Sequence, residues 1–252
     1  MKQKLNIVKV GGAVVEDSAS LEAVLSRFCA LPGLKALVHG GGRSATAMAA
    51  KLGLETKMVE GRRVTDDAML EVVTMVYGGL VNKNIVAALQ AKGVNALGLT
   101  GADLGYMLSD KRPAQPIDYG WVGDVRKVDA DILADLIGRG VVPVLAPLTC
   151  DGKGHMLNTN ADTIASSAAA ALSEHFDVTL TFCFEMPGVM KDGEVIRNID
   201  KVAFEALKAD GTVSGGMIPK LDNSFAAIAG GVSGVIITNI ESLGTDSGTL
   251  IR

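Results

Sequence analysis

The chain has 252 residues, 48% of them hydrophobic and 21% charged, which suits a globular enzyme and is enough for one large domain or two modest ones. Aromatic residues make up only 4% and the formal charge is −4 with no basic block, which argues against single-stranded nucleic acid, duplex nucleic acid and anionic membrane as partners. The cysteines Cys29, Cys150 and Cys183 are odd in number and none lies in a Cys-x-x-Cys pair, so no disulfide framework or zinc site is expected, and the expected compartment is the cytoplasm.

Apolar runs alternate with helix-like segments along the whole length. A strand is predicted over Leu5–Val10; it reaches Lys9 and then breaks on Gly11 and Gly12. A helix over Ser18–Cys29 follows, opened by Ser18 ahead of Leu21, Val24 and Leu25. The strand Ala36–His39 runs into Gly40, Gly41 and Gly42, then a helix over Arg43–Leu52. Thr65-Asp66-Asp67 opens a long helix, Asp66–Ala91, with Leu70, Val73, Val76 and Leu80 on one face. After a strand at Ala96–Thr100, Leu104–Val128 alternates apolar residues with Gly and Pro and reads as a β-hairpin layered onto the main sheet. Helices over Asp129–Gly138, Ala161–Ser173 and Ser224–Gly230 then alternate with strands over Val141–Leu145, Val178–Phe184 and Gly234–Thr238. This order predicts an α/β three-layer sandwich with a mostly parallel central sheet. A break near Leu172–Asp177 separates residues 1–173 from residues 174–252, two lobes expected to share one sheet. No signal peptide and no apolar run long enough to span a membrane is read.

Two strands that end in glycine place bare backbone where something must approach closely. With Lys9 beside them, that something is read as a phosphate. The G-x-x-x-x-G-K-[ST] and G-x-G-x-x-G loops are both absent, so a nucleotide site has to be of another type. Arg62 and Arg63 just before a helix start are either a solvated face or a clamp on a carboxylate, for which a guanidinium has the geometry. In Asn158-Thr159-Asn160-Ala161-Asp162 three short polar side chains alternate before an Ala-rich helix. One can cap it; the other two need partners. Gly215-Gly216 with Lys220 four residues on reads alone as a loop with an exposed lysine. The three histidines are scattered and form no metal constellation, and no nucleophile elbow is present.

Taken together, Lys9-Val10-Gly11-Gly12, His39-Gly40-Gly41-Gly42, Gly61-Arg62-Arg63-Val64-Thr65, Asn158-Thr159-Asn160-Ala161-Asp162 and Gly216-Met217-Ile218-Pro219-Lys220 resemble the amino acid kinase family in order and spacing. The resemblance implies transfer of a phosphoryl group from ATP, with Mg²⁺, to the γ-carboxylate of an N-acyl-L-glutamate, acetyl or succinyl, in arginine biosynthesis. Lys9 would meet the transferring phosphoryl group, Lys220 the leaving side, and Asp162 would hold both lysines. Gly11, Gly12 and Gly41 would donate N–H groups to phosphoryl oxygens. Gly41 and Gly42 would border the acylamino acid, and Arg63 and Asn158 would hold its α-carboxylate and neighbouring atoms. The nucleotide would lie around Glu185, Gly188 and Met190 and around Thr212 and Ser214. Glu185 departs from the pattern, where a shorter acid or a hydroxyl is common. Arginine-inhibited members carry an extra N-terminal helix, absent before Lys9, so the implied assembly is a homodimer, paired through Asp66–Ala91, without that control. Kinases of the same fold acting on carbamate, aspartate, glutamate or a nucleoside monophosphate, and a silent binding subunit, remain alternatives.

Overall fold

The structure, a computed structural model, describes residues 2–252. The chain begins with β1 (Lys4–Val10), α1 (Gly12–Glu16), α2 (Ser18–Ala30), β2 (Leu34–His39) and α3 (Gly42–Lys51). A two-residue ribbon pairs Met58–Val59 with Arg62–Arg63 ahead of the long helix α4 (Asp67–Ala91). Then come β3 (Ala96–Leu99), β4 (Met107–Lys111), β5 (Gly123–Val128), α5 (Ala130–Gly138), β6 (Val142–Leu145), β7 (Leu148–Cys150), β8 (Met156–Asn158) and α6 (Ala161–Leu172). The remainder is β9 (Asp177–Phe184), β10 (Asn198–Ile199), α7 (Lys201–Ala209), α8 (Met217–Ala229), β11 (Gly234–Asn239) and β12 (Thr249–Ile251).

The main sheet has eight strands in the order β10-β12-β11-β9-β1-β2-β6-β3. Neighbours run parallel except β11 and β12, which are antiparallel. β1 is central and buried on both faces, so its sequence is nearly continuously apolar. Period-two alternation sends Leu5 and Ile7 into one core with α5, α6 and α8, and Val8 and Val10 into the other with α2 and α4. Lys9 shares the face of Leu5 and Ile7, which is the side covered by α6.

The predicted strands all form, within two residues at their ends. The predicted hairpin is β4 and β5, and it belongs to a second, four-stranded sheet in the order β8-β7-β4-β5. Helix α8 begins at Met217, earlier than the expected Ser224, because Pro219 lies in the first turn, where its missing N–H has no intrahelical partner to lose. Helix α7 was not anticipated; its cap is Asp200, whose carboxylate accepts from the Ala203 N–H at 2.7 Å. Within α4, Thr74–Val81 adopts wider π-helical turns across Gly78-Gly79. By length and composition alone α4 could cross a membrane, at mean hydropathy 1.4, which the expectation of no such run did not allow for. Its inner face, including Val72, Val73, Ile85 and Leu89, is buried in the core.

Candidate active site

The glycine turns after β1 and β2 pack backbone against backbone. A Cβ on Gly40 would lie 2.9 Å from the Gly12 nitrogen, and one on Gly12 would lie 3.4 Å from the Gly41 nitrogen. Gly11 and Gly41 give α1 and α3 no side-chain cap, and of the opening N–H groups of α3 that of Ser44 is taken by the Glu16 carboxylate, which leaves the first ones without an acceptor. One expected donor is engaged elsewhere. The Gly11 N–H donates to the Cys183 carbonyl at 3.1 Å, extending the β1–β9 ladder by a step, so Gly11 is not available as a donor at this turn.

Asp162 lies in the first turn of α6, fixed by its cap: the Asn160 side-chain oxygen accepts from the Asp162 N–H at 2.7 Å and the Thr163 N–H at 3.4 Å. The three alternating polar residues thus divide as expected into one cap and two others. Lys9 reaches Asp162 Oδ1 at 2.7 Å, and Lys220, in the first turn of α8, reaches Oδ2 at 2.8 Å. Lys220 also sits over the Phe184 ring, 5.4 Å from its centre. Burial pushes the Asp162 carboxyl up, the two ammonium groups push it down, and the net direction is down. Asp162 is therefore a fixed anion between two cations. The opening turns of α1, α3, α6 and α8 add their positive ends, so the local field favours anions.

Beside this triad is a cavity of about 200 Å³ lined by Gly41, Gly42, Arg63, Tyr77 and Asn158, among others. Arg63 is buried at 8% exposure. Its Nη2 donates to the Gly42 carbonyl at 2.7 Å and to Thr46 Oγ1 at 2.9 Å, and its Nη1 to Thr56 Oγ1 at 3.2 Å. Of the two arginines, Arg63 is thus buried and held from three sides, which a solvated face is not. Asn158 donates from Nδ2 to Thr65 Oγ1 at 2.9 Å. Tyr77, not singled out from the sequence, packs its ring against Gly41: a Cβ there would lie 3.0 Å from Cδ1. The Gly78-Gly79 pair that follows Tyr77 is the one sequence signal that could have drawn notice to it.

The nucleotide residues are more scattered. Glu185 is exposed at the end of β9 and borders a hollow with Ala13, Arg43 and Glu241. Thr212 and Ser214 lie in the turn into α8; the Thr212 N–H donates to Asp210 Oδ1 at 2.9 Å and the Ser214 carbonyl accepts from the Met217 N–H at 3.2 Å. Met190 is half-buried in a ribbon with Val195. Gly188 is buried against β12, where a Cβ would lie 2.7 Å from Thr249 Oγ1, so packing is reason enough for glycine there.

A largely parallel sheet with two lysines bridged by a buried aspartate, and glycine turns facing them, defines a phosphoryl-handling α/β enzyme. Residues 4–239 match the amino acid kinase family, and the chain belongs to that family. It is 60% identical to an acetylglutamate kinase of Bacteroides thetaiotaomicron, over all of both chains. Among solved structures, smu.665 from Streptococcus mutans UA159 superposes with a TM-score of 0.82 at 26% identity, covering 98% of each chain. An N-acetylglutamate synthase from Neisseria gonorrhoeae, complexed with coenzyme A and N-acetyl-glutamate, shares the fold at TM-score 0.82 and 22% identity, over 98% of this chain and 59% of that one.

Proposed function

We propose that the protein transfers the γ-phosphoryl group of ATP to the γ-carboxylate of N-acetyl-L-glutamate, giving ADP and the acyl phosphate. The observation that carries this reading is the Lys9–Asp162–Lys220 triad beside a cavity floored by Arg63. Its support from relatives is the 60% identity over the whole length of an acetylglutamate kinase.

A carboxylate with a reference pKa of about 4.3 is ionised at neutral pH and attacks without a general base. What remains is to bring two anions together and to meet charge as it moves. Arg63 binds the acceptor's α-carboxylate and Asn158 its neighbouring polar atoms. Lys9 lies at the transferring phosphoryl group, with N–H groups of Gly12 and Gly41 on its oxygens. Lys220 neutralises charge on the leaving ADP, and Asp162 fixes the spacing of the two ammonium groups. Magnesium bound with ATP would supply further charge neutralisation at the phosphates, beside Lys9 and Lys220. Residues 1–173 are read as the acceptor lobe and residues 174–252 as the nucleotide lobe, around Glu185, Thr212 and Ser214.

Hydroxylamine traps an acyl phosphate as a hydroxamate, which gives a direct assay. With Mg-ATP the hydroxamate is expected from N-acetyl-L-glutamate, with N-succinyl-L-glutamate assayed beside it, and not from aspartate or glutamate; ADP release with carbamate is expected to stay at background. Hydroxamate from glutamate or aspartate but from neither acylated acceptor would overturn the reading.

A further inference from the structure

His39 closes β2 immediately before Gly40-Gly41-Gly42 and is fully buried. A buried imidazole without a metal or an acidic partner usually packs as a polar filler. Here it is one link in a continuous chain of hydrogen bonds. Lys83 Nζ donates to Asn82 Oδ1 at 3.1 Å and to the Gly98 carbonyl at 3.1 Å. An ammonium can only donate, so it fixes which end of the Asn82 amide is oxygen. Asn82 Nδ2 then faces the Val144 carbonyl at 2.9 Å and His39 Nε2 at 3.1 Å. Both are acceptors of that amide, so His39 Nε2 carries no proton and Nδ1 does. His39 Nδ1–H in turn donates to the Gly40 carbonyl at 2.7 Å. The space for this chain is provided by Gly98, where a Cβ would lie 1.8 Å from Asn82 Oδ1.

A trans peptide holds its C=O and the next N–H in opposite directions. Pinning the Gly40 carbonyl toward His39 therefore turns the Gly41 N–H the other way, toward Gly12 and the gap between the glycine turns. Glycine has the broadest backbone freedom of any residue, so without such a tether the Gly40–Gly41 peptide could rotate its N–H out of the site. We propose that Lys83, Asn82 and His39 form a relay that orients the Gly40–Gly41 peptide so that the Gly41 N–H points at the oxygens of the transferring phosphoryl group. His39 is a positioning residue: it touches neither substrate and exchanges no proton during turnover. This inference rests on the phosphoryl-transfer reading above. Burial lowers the His39 pKa to about 4, which keeps the ring neutral and its Nε2 an acceptor at working pH.

In His39→Asn the new side-chain amide would place its nitrogen where Nδ1 lies, whereas in His39→Gln the amide reaches the position of Nε2, where its oxygen accepts from Asn82 and nothing donates to the Gly40 carbonyl. The two variants therefore separate donation to Gly40 from mere filling of the site. His39→Asn is expected to keep kcat within about threefold of wild type, and His39→Gln to lower kcat by roughly 10–100-fold with both KM values within about threefold, as for loss of an oriented oxyanion donor. Equal kcat for the two variants, or a loss confined to KM, overturns the proposal. Lys83→Met, at an exposed position, covers the case in which neither His39 variant folds. It is expected to lower kcat by about threefold to tenfold with unchanged Tm, since only the Asn82 amide is released; an unchanged kcat overturns the relay. If the wild-type protein itself makes no acyl phosphate from any acceptor, it is the functional reading that fails, and the Gly41 amide signal in ¹H–¹⁵N spectra of Lys83→Met still reports whether the relay holds that peptide.

Discussion

Lys9 is a charged residue in the middle strand of a sheet, at 8% exposure, and such a position is tolerable only with an anionic partner. Asp162 is that partner in the structure, and in the proposed reaction a phosphoryl group is the second. Lys9→Ala is expected to fold and to lose ~10²–10³-fold in kcat, the usual effect of removing one such electrostatic contact; near wild-type turnover would remove Lys9 from the chemistry. Arg63 offers a different readout, because the role proposed for it is ground-state binding of the acceptor. Lys in its place keeps the charge but not the planar fork, so Arg63→Lys should raise KM for the acceptor by about tenfold or more while leaving KM for ATP in place. Initial rates with each substrate varied in turn check this.

At the scale of elements, what matters is where helices begin. Four of them open at the site, and the structure moves one of those openings. Lys220 read from the sequence as a loop lysine; with α8 starting at Met217 it sits on a first helical turn, aimed at α6. A start at Ser224 was expected, but Pro219 does not bar the earlier one, since proline is at home in a first turn. Gly188 illustrates the opposite error, a glycine read as ligand-facing that is packed against β12. Gly188→Ala should cost about 1–3 kcal/mol through overpacking against Thr249. Its KM for ATP, measured well below the lowered Tm, should match wild type; a large rise in KM would return Gly188 to the nucleotide site.

For the whole molecule, two buried groups set the acid limb of stability. His39 is neutral in the fold until about pH 4, whereas an unfolded chain protonates it from 6.5 downward. The unfolded state therefore binds more protons across that window, and stability falls as the pH drops through it, by about 3 kcal/mol. Asp162 acts lower down. Its folded carboxyl is held below the ordinary 3.8, so its stabilisation is whole above that value and is lost as the pH falls through the folded value. Urea unfolding along a pH series should show the first limb flattened in His39→Asn and the second in Asp162→Asn, with Asp162→Asn also about 3 kcal/mol less stable at neutral pH because the buried Lys9 and the half-buried Lys220 lose their partner. Assembly belongs to the same scale. Met75 and Leu80 are 54% and 49% exposed, large apolar side chains on the outer side of α4. A second copy of the chain paired through α4 would cover them. Leu80→Glu should then shift the sedimenting species from dimer to monomer; a wild-type monomer would remove the pairing.

Much of this molecule is local and was therefore legible. Strand positions follow from short apolar runs, the helix opening at Asp66 from capping chemistry, and the phosphate candidates from two strands that end in bare glycine turns beside a lysine. The motifs at Lys9, Arg63, Asn158, Asp162 and Lys220 could be picked out one by one because each is a polar residue at a place where an apolar or loop residue would serve. What the sequence could not decide is which of them meet. Lys9 and Asp162 are 153 positions apart and touch only because strand parity turns Lys9 toward the face that α6 covers. Likewise, Gly11 looked like a free donor until β9 lay beside β1 and took its N–H, and His39 looked like a filler until α4 brought Asn82 and Lys83 behind it. Backbone propensity and side-chain chemistry act over a few residues and are written in order along the chain. Hydrogen-bond partners and ion pairs are settled by which surfaces the sheet order and helix packing bring within about 3 Å, and that is a property of the folded whole.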